Sequence, residues 1–138
     1  MARVEVQDEI DAAKEAVWDL VSDFGGVGRI SPEVESCEVE GEGIGAVRTI
    51  NTSGVVIRER LEGLDGKTYT FSYSMLDGPI PFKNYLAHVT LTGAGPKRTR
   101  IKWAGSFEPV GVPAEQLESL IQGIYLGLIA GVKKAVGT

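Results

Sequence analysis

Glycine divides this chain into short segments, and that spacing limits the fold more than any other feature of the sequence. The chain has 18 glycines in 138 residues, nearly twice the usual share of about 7%. Most of the breaks are at Gly25, Gly26, Gly28, Gly41, Gly43, Gly45, Gly54, Gly63, Gly66, Gly78, Gly93, Gly95, Gly105 and Gly111. They leave segments of roughly ten residues, the turn spacing that is typical of an antiparallel β-sheet.

The segments between these glycines alternate apolar and polar residues. Residues i and i+2 of a strand share a face, so Val4 and Val6 lie together in the first segment. The alternation is strongest in segments 69–75, 85–91 and 101–107, where aromatic and aliphatic residues fall on one face. A sheet with one strongly apolar face must be covered by another element.

Two segments with helical periodicity can supply this cover. Asp11 is a suitable N-cap for a helix from Ala12 to Phe24, and a short irregular or helical piece follows near Val27–Ile30. A longer helix has Pro113 in its first turn and an apolar stripe with helical spacing. The stripe consists of Leu117, Leu120, Ile121, Ile124, Tyr125, Leu128 and Val132. The pattern predicts an α+β fold in one domain, residues 1–138, with a curved antiparallel sheet around the final helix.

The counts of cysteine and histidine exclude several kinds of chemistry. Cys37 and His88 are the only residues of their types, whereas a disulfide needs two cysteines and a structural zinc site about four ligands. We therefore expect no metal and no cofactor. His88 is in phase with polar neighbours and is predicted to be exposed. Cys37 alternates with Val39 and is predicted to be a buried, unreactive thiol.

The charge pattern limits the partners. With 14 basic and 19 acidic residues the net charge is −5, and the basic residues are scattered, so no nucleic-acid partner is expected. The N-terminus has no apolar signal-peptide region. The apolar stretch from Gly123 to Val132 is far shorter than the roughly 20 residues of a membrane span. These features predict a cytoplasmic protein with no membrane span.

Three glycines recur at every fourth position of the predicted final helix: Gly123, Gly127 and Gly131. Each costs about 1 kcal/mol relative to alanine, so a packing requirement is expected. We favour close approach of the helix to the sheet, with a self-association face as the alternative. Monomer and homodimer both stay open.

Five segments resemble one known family, and they occur in the order seen there. They are Glu15–Phe24 (EAVWDLVSDF), Gly45–Arg48 (GAVR), Arg58–Leu61 (RERL), Tyr73–Pro81 (YSMLDGPIP) with Tyr85, and Trp103–Phe107 (WAGSF). On these segments the chain is identified as a member of the polyketide cyclase/dehydratase-like branch of the START and birch-pollen-allergen superfamily, also called SRPBCC. The resemblance extends over essentially the whole chain, from about Arg3 to Val136.

This resemblance implies the helix-grip fold. In that fold a seven-stranded antiparallel sheet grips the C-terminal helix around a deep, mostly apolar cavity, with one or two short helices after the first strand. Members bind or transform hydrophobic small molecules such as lipids, plant hormones and polyketides, so a molecule of this kind is the expected partner. The segment Leu76–Phe82 is a turn by composition, and such connections border the cavity entrance in this fold. The gate and latch sequences of plant hormone receptors are absent, so hormone perception is not expected.

Glu59 is the most informative polar position. Alternation places it between Ile57 and Leu61 on the apolar face, where a carboxylate must be paired, protonated or in contact with water. Arg48 shares a face with Ile50, so one interpretation is an ion pair between neighbouring strands. The resemblance implies another, because lachrymatory factor synthases hold an arginine and a glutamate in their cavities. Glu59 and Arg48 are therefore the candidate catalytic residues, with proton transfer as the chemistry.

The candidate ligand contacts are mostly aromatic. Tyr73 and Tyr85 are favoured, because a buried hydroxyl needs a partner that a ligand can supply. For the aromatic set as a whole, packing in the core is the alternative. The candidates are Phe71, Tyr73, Tyr85, Trp103, Phe107, Ile124, Tyr125 and Leu128.

Three functions remain open at this point. The first is the binding or transport of a hydrophobic small molecule in an internal cavity. The second is a cofactor-independent cyclase, dehydratase or isomerase that uses Glu59 and Arg48. The third is partner binding or dimerisation through the glycine face of the final helix.

Overall fold

The computed structural model describes residues 1–137, and over that range it contains one sheet, two α-helices and a short 3₁₀ helix. The strands are β1 (Ala2–Ile10), β2 (Val34–Glu40), β3 (Val47–Thr52), β4 (Val55–Asp65), β5 (Thr70–Asp77), β6 (Phe82–Gly95) and β7 (Arg98–Pro109). The helices are α1 (Lys14–Val21), the 3₁₀ helix (Phe24–Arg29) and α2 (Ala114–Ala135).

The sheet is antiparallel throughout, with the strand order β1-β7-β6-β5-β4-β3-β2. The predicted alternation is present, since Tyr85, Ala87, Val89 and Leu91 of β6 are all buried while His88 is exposed. Helix α2 covers this apolar face and contacts β1 and β7. The prediction of a curved seven-stranded sheet around a C-terminal helix is confirmed.

Helix α2 is held to the sheet by an apolar stripe and by a polar link at its end. The buried residues of the stripe are Leu117, Ile121, Tyr125, Ile129 and Val132. In the last turn, Lys133 Nζ donates to Asp8 Oδ2 of β1 at 2.6 Å, and this hydrogen bond lowers the pKa of Asp8. Neither α2 nor any other helix within residues 1–137 is long and apolar enough to cross a membrane.

Two residues of the predicted stripe are exposed, and a third, Leu128, is half-buried. Leu120 is 48% exposed and Ile124 is 42% exposed, while Ile129, which the prediction omitted, is buried. Leu120 and Ile124 face an open cavity, so the sheet does not cover this side of the helix.

Helix α1 begins later than predicted. Strand β1 continues to Ile10, and the helix starts at Lys14 with Ala13 at the N-cap. The predicted cap, Asp11, lies before the helix and forms an ion pair with Arg98 at 3.5 Å. The prediction was wrong because the chain needs a turn to leave the sheet before it can enter a helix.

Helix α1 also ends earlier than predicted, at Val21 rather than Phe24. The backbone N–H of Ser22 makes the last helical bond to the Trp18 carbonyl at 2.9 Å, and the Ser22 hydroxyl donates to the same carbonyl at 2.6 Å. The chain then forms the separate 3₁₀ helix that starts at Phe24. The prediction of one or two short helices after the first strand is confirmed, with a different division between them.

Strand β2 forms an edge of the sheet and is less buried than expected. Cys37 is half-buried and packs against the core, and Val39 lies beside Gly25 of the 3₁₀ helix but is 41% exposed. The prediction of a buried Cys37 was therefore wrong in the extent of burial. An edge strand has a neighbour on one side only, and here that neighbour is β3. Burial still raises the pKa of the Cys37 thiol, which agrees with an unreactive side chain.

The three glycines of α2 do not approach the sheet. A Cβ at Gly123 or Gly127 would meet nothing within 4 Å, whereas a Cβ at Gly131 would collide with the carbonyl group of Ile30, just after the 3₁₀ helix. The interpretation that we favoured, close approach of the helix to the sheet, was therefore wrong. Close packing requires one of the three glycines, Gly131, and it packs against Ile30 rather than the sheet. The alternative, a self-association face, stays a prediction.

Candidate ligand cavity

A cavity of about 430 Å³ lies between helix α2 and the inner face of strands β3 to β6. Most of its walls are aliphatic or aromatic. The lining residues are Val27, Ser31, Glu33, Val34, Arg48, Ile50, Thr52, Ser53, Val55, Ile57, Glu59, Tyr73, Met75, Pro79, Ile80, Phe82, Tyr85, Leu120, Ile121, Ile124, Tyr125 and Leu128. The side chains of the sheet and the helix therefore do not fill the space between them.

The cavity opens to solvent between α2 and the loops at one end of the sheet. Several of its lining residues are exposed, and these mark the mouth: Glu33, Ser53, Val55, Pro79, Leu120 and Ile124. Pro79 belongs to the turn that the sequence placed at the cavity entrance. Four of these six residues are apolar, and Glu33 is the one that carries a charge.

A buried ion pair lies in the cavity wall. Arg48 of β3 and Glu59 of β4 are directly opposite each other in the strand pairing. The guanidinium donates to Glu59 Oε1 from Nε at 2.9 Å and from Nη2 at 2.7 Å. Both residues are buried, at 6% and 7% exposure, and their charges offset each other. The two interpretations of the sequence are therefore compatible, since the pair joins two strands and also faces the cavity.

The Arg48 side chain is fixed on every side. Its Nη1 donates to the Phe24 carbonyl at 3.0 Å. Its guanidinium carbon lies 4.2 Å from the centroid of the Phe24 ring and 5.0 Å from that of Tyr73, within the range of a cation–π contact. Each nitrogen already has an acceptor and the aromatic rings cover the group, so Arg48 is a rigid part of the wall.

The second carboxylate oxygen of Glu59, Oε2, faces the cavity. Both bonds from Arg48 go to Oε1, and no residue within 1–137 donates to Oε2. In the same part of the chain, every side-chain oxygen or nitrogen that is fully buried has a hydrogen-bond partner. Oε2 is therefore accessible to solvent, and it is reached from the cavity that Glu59 lines.

Three tyrosine hydroxyls form the other polar region of the cavity. The hydroxyls of Tyr85 and Tyr125 are hydrogen-bonded to each other, and Trp103 Nε1 donates to the Tyr73 hydroxyl at 3.1 Å. Desolvation by burial raises the pKa of Tyr73, Tyr85 and Tyr125. All three phenols therefore keep their protons at neutral pH, and each has one hydrogen that it can donate.

Two local features of the backbone place the tyrosine pair. Asn84, immediately before Tyr85, has a φ of 55° at a shift in the register between β6 and β7. Such bulges change the direction of a side chain beside functional sites. On β7, the Tyr125 hydroxyl occupies the space that a Cβ at Gly105 would fill. Glycine at this position is therefore what allows Tyr125 to reach Tyr85.

The structure brings together seven of the ten predicted site residues. They are Arg48, Glu59, Tyr73, Tyr85, Ile124, Tyr125 and Leu128, all of which line the cavity. Phe71 and Trp103 border a separate void of about 20 Å³ behind Arg48, and Phe107 is fully buried away from both. These three aromatic residues lie in the core, the alternative that the sequence left open.

Sequence reasoning missed much of the aliphatic wall. Ile50, Ile57 and Met75 have inward positions in the strand alternation, so the signal was present, but alternation does not show how far along a strand the cavity extends. Phe24 was missed as a partner of Arg48, because the sequence pattern placed it at the end of the first helix, whereas it begins the separate 3₁₀ helix.

The curved sheet, the gripped helix and the open apolar cavity define a protein with the helix-grip fold and an internal cavity. The family model described as polyketide cyclase/dehydrase and lipid transport matches residues 1–137. The chain belongs to this family, and the resemblance identified from the sequence is confirmed. No curated protein sequence matches the chain.

Solved structures with the same fold include proteins of several kinds. The Bacillus cereus protein XoxI is 31% identical, with a TM-score of 0.90 over 99% of this chain and 97% of that chain. Norcoclaurine synthase from Thalictrum flavum, solved with dopamine and hydroxybenzaldehyde, is 18% identical, with a TM-score of 0.80 over 97% and 85%. The ZhuI aromatase/cyclase from Streptomyces is 20% identical, with a TM-score of 0.79 over 96% and 92%. The last two show the shared fold alone.

Proposed function

We propose that this protein binds a hydrophobic small molecule, such as a lipid or a polyketide, in the cavity between α2 and the sheet. The observation that carries this proposal is an apolar cavity of about 430 Å³ that is open to solvent. Small-molecule sites typically have volumes of about 300–1,000 Å³ with apolar walls and a few placed polar groups. The Arg48–Glu59 pair and the tyrosine hydroxyls are such groups.

The exposure of apolar side chains at the mouth supports the same function. Leu120 and Ile124 are nearly half exposed although they lie on the apolar side of α2. Contiguous exposed apolar surface commonly marks a binding site. A ligand in the cavity would remove these side chains from water.

The fluorescence of N-phenylnaphthylamine, a neutral apolar probe, tests this function. We expect saturable binding with one site per chain. Ile124→Trp, which adds bulk at the mouth, should weaken binding by about ten-fold, or roughly 1.4 kcal/mol. Leu126→Trp is the matched control, because Leu126 lies on the same helix with 48% exposure and does not line the cavity. Absence of saturable binding, or equal weakening by the two substitutions, would overturn the proposal.

A second candidate function is cofactor-independent proton transfer, as in a cyclase, dehydratase or isomerase. The accessible Oε2 of Glu59 favours it, because a carboxylate oxygen without a hydrogen bond is able to accept a proton from carbon. The electron pair of the broken C–H bond would form an enolate, and a tyrosine hydroxyl would stabilise the charge on its oxygen. Return of the proton from Glu59 to another atom completes an isomerisation. Arg48 acts here as the positioning residue that fixes the carboxylate.

Hydrogen exchange at an enolisable ketone tests this second function without the natural substrate. NMR in deuterium oxide would follow the methyl protons of acetonaphthone. We expect the protein to accelerate their exchange and Glu59→Gln to reduce the acceleration by about 100-fold. Glu62→Gln is the control, since Glu62 lies on the same strand but bonds to Ser74 and Arg60 outside the cavity. Exchange at the uncatalysed rate with the unchanged protein would exclude this chemistry for such ketones.

A further inference from the structure

The polar groups of the cavity specify the kind of molecule that it accepts, and this inference rests on the proposed binding function. We infer that the ligand is a neutral molecule with a hydrogen-bond donor for Glu59 and an acceptor oxygen for the Tyr85–Tyr125 pair. The structure assigns selectivity against carboxylate-bearing ligands to Glu59.

The acceptor in the wall is Oε2 of Glu59. An ionised carboxylate only accepts hydrogen bonds, and within residues 1–137 no side chain or backbone group donates to this oxygen. A ligand hydroxyl or N–H beside it would satisfy the oxygen, whereas a ligand carboxylate would meet a like charge. Three of the five guanidinium N–H groups of Arg48 already have acceptors, two on Oε1 and one on the Phe24 carbonyl, so the positive charge is neutralised by Glu59 itself.

The donor in the wall is the tyrosine pair. Each hydroxyl carries one hydrogen at neutral pH, since burial raises the pKa of both residues. The bond between Tyr85 and Tyr125 uses one of these two hydrogens. The Tyr85 hydroxyl also interacts with that of Tyr73, so the three hydroxyls use two of their three hydrogens on each other. One hydrogen is left for an acceptor in the cavity that all three residues line. A carbonyl oxygen is the neutral group that fits such a donor.

The donor and the acceptor both lie near the Tyr73 ring, which lines the cavity. Its centroid is 5.0 Å from the guanidinium carbon of Arg48, the partner of Glu59, and 6.3 Å from the centroid of the Tyr85 ring. Glu59, Tyr85 and Tyr125 line the same cavity as Tyr73, so a molecule that carries both a hydroxyl and a carbonyl can bond to both groups from within it.

A matched series of naphthalene probes tests this inference. The reference is a hydroxyacetonaphthone with its hydroxyl and acetyl groups on opposite rings. In the first comparison compound a methyl ether replaces the hydroxyl, in the second the acetyl group is removed, and in the third a carboxylate replaces the hydroxyl. Calorimetry of the unaltered protein should show that each change weakens binding by about ten-fold or more, as expected for the loss of one hydrogen bond to a charged or buried group.

Two variants assign the effects to residues. Glu59→Gln removes the negative charge and leaves Arg48 unneutralised, so the carboxylate probe should gain at least about ten-fold in affinity relative to the reference. The double variant Tyr85→Phe with Tyr125→Phe should bind the probes with and without the acetyl group equally well. The ratio of its affinities for the hydroxyl and methyl ether probes should stay unchanged. Equal affinities across the four probes for the unaltered protein would overturn the inference while the binding function stands. If neither these probes nor N-phenylnaphthylamine bind, the binding function itself fails.

Discussion

At the scale of single residues, the site depends on side chains that are fixed before any ligand arrives. Arg48 is held by Glu59, by the Phe24 carbonyl and by two aromatic rings. Tyr125 reaches its partner only because position 105 has no side chain. A rigid wall loses little conformational entropy on binding, which favours affinity.

Gly105→Ala tests the placement of Tyr125. The new Cβ would displace the Tyr125 hydroxyl, so the free energy of unfolding should fall by about 1–3 kcal/mol, the usual cost of overpacking. Urea unfolding of this variant, of Tyr125→Phe and of the double variant gives the coupling between the two sites. We expect the alanine to cost less when the hydroxyl is absent. Strictly additive effects would show that the hydroxyl does not occupy this space.

The sequence was informative about which face of a strand each residue lies on. Glu59 and Arg48 were predicted to lie on the apolar face because a period of two gives only two faces, and their neighbours are apolar. The same rule does not separate a cavity wall from a filled core, so Phe71, Trp103 and Phe107 were grouped with Tyr73 and Tyr85. How far the cavity extends along a strand depends on sheet curvature and on bulges such as that at Asn84. The alternation of apolar and polar residues does not encode either.

At the scale of the elements, helix α2 carries glycines with different roles. Gly131 is required by its close approach to the Ile30 carbonyl group, whereas Gly123 and Gly127 have open space beside them. The regular spacing in the sequence predicted one shared role, because spacing shows which residues share a helix face but not what lies opposite that face. The cavity mouth beside Leu120 and Ile124 leaves much of this part of the helix uncovered.

Alanine substitutions at two of these glycines should therefore change the free energy of unfolding in opposite directions. Gly127→Ala should raise the free energy of unfolding by about 0.5–1 kcal/mol, because alanine is the better helix former. Gly131→Ala should lower it by about 1–3 kcal/mol, since the collision with Ile30 outweighs that gain. The urea midpoint at constant m-value gives both changes. A stabilising effect of Gly131→Ala would contradict the packing of α2 against the end of the 3₁₀ helix.

At the scale of the whole molecule, the buried tyrosines connect stability to pH. Tyr73, Tyr85 and Tyr125 have pKa values raised above the ordinary 10.0 because burial disfavours the phenolate. The folded protein then binds these protons more tightly than the unfolded chain. Their contribution to stability is complete below pH 10.0 and is lost as the pH rises above it.

Alkaline unfolding measures this connection. The free energy of unfolding should decline above pH 10.0, and phenolate absorbance from these tyrosines should appear together with unfolding. Tyr125→Phe removes one of the three groups, so its decline with pH should be shallower. The same slope in the variant and in the unaltered protein would show that Tyr125 is not protected from ionisation in the fold.

The fold class was the most predictable property of the molecule, because turns, alternation and the final apolar helix all agree. The single domain, the cytoplasmic location and the choice between monomer and homodimer stay predictions. The identity of the ligand depends on cavity shape, which results from side chains distant in the sequence.

Intermolecular NOEs between the protein and bound N-phenylnaphthylamine test most directly whether the cavity is the ligand site. The probe protons should contact the methyl groups of Ile57, Ile124 and Leu128, which line the cavity from both the sheet and the helix. Contacts confined to exposed apolar side chains outside the cavity, such as Leu64 and Leu126, would contradict a ligand site between α2 and the sheet.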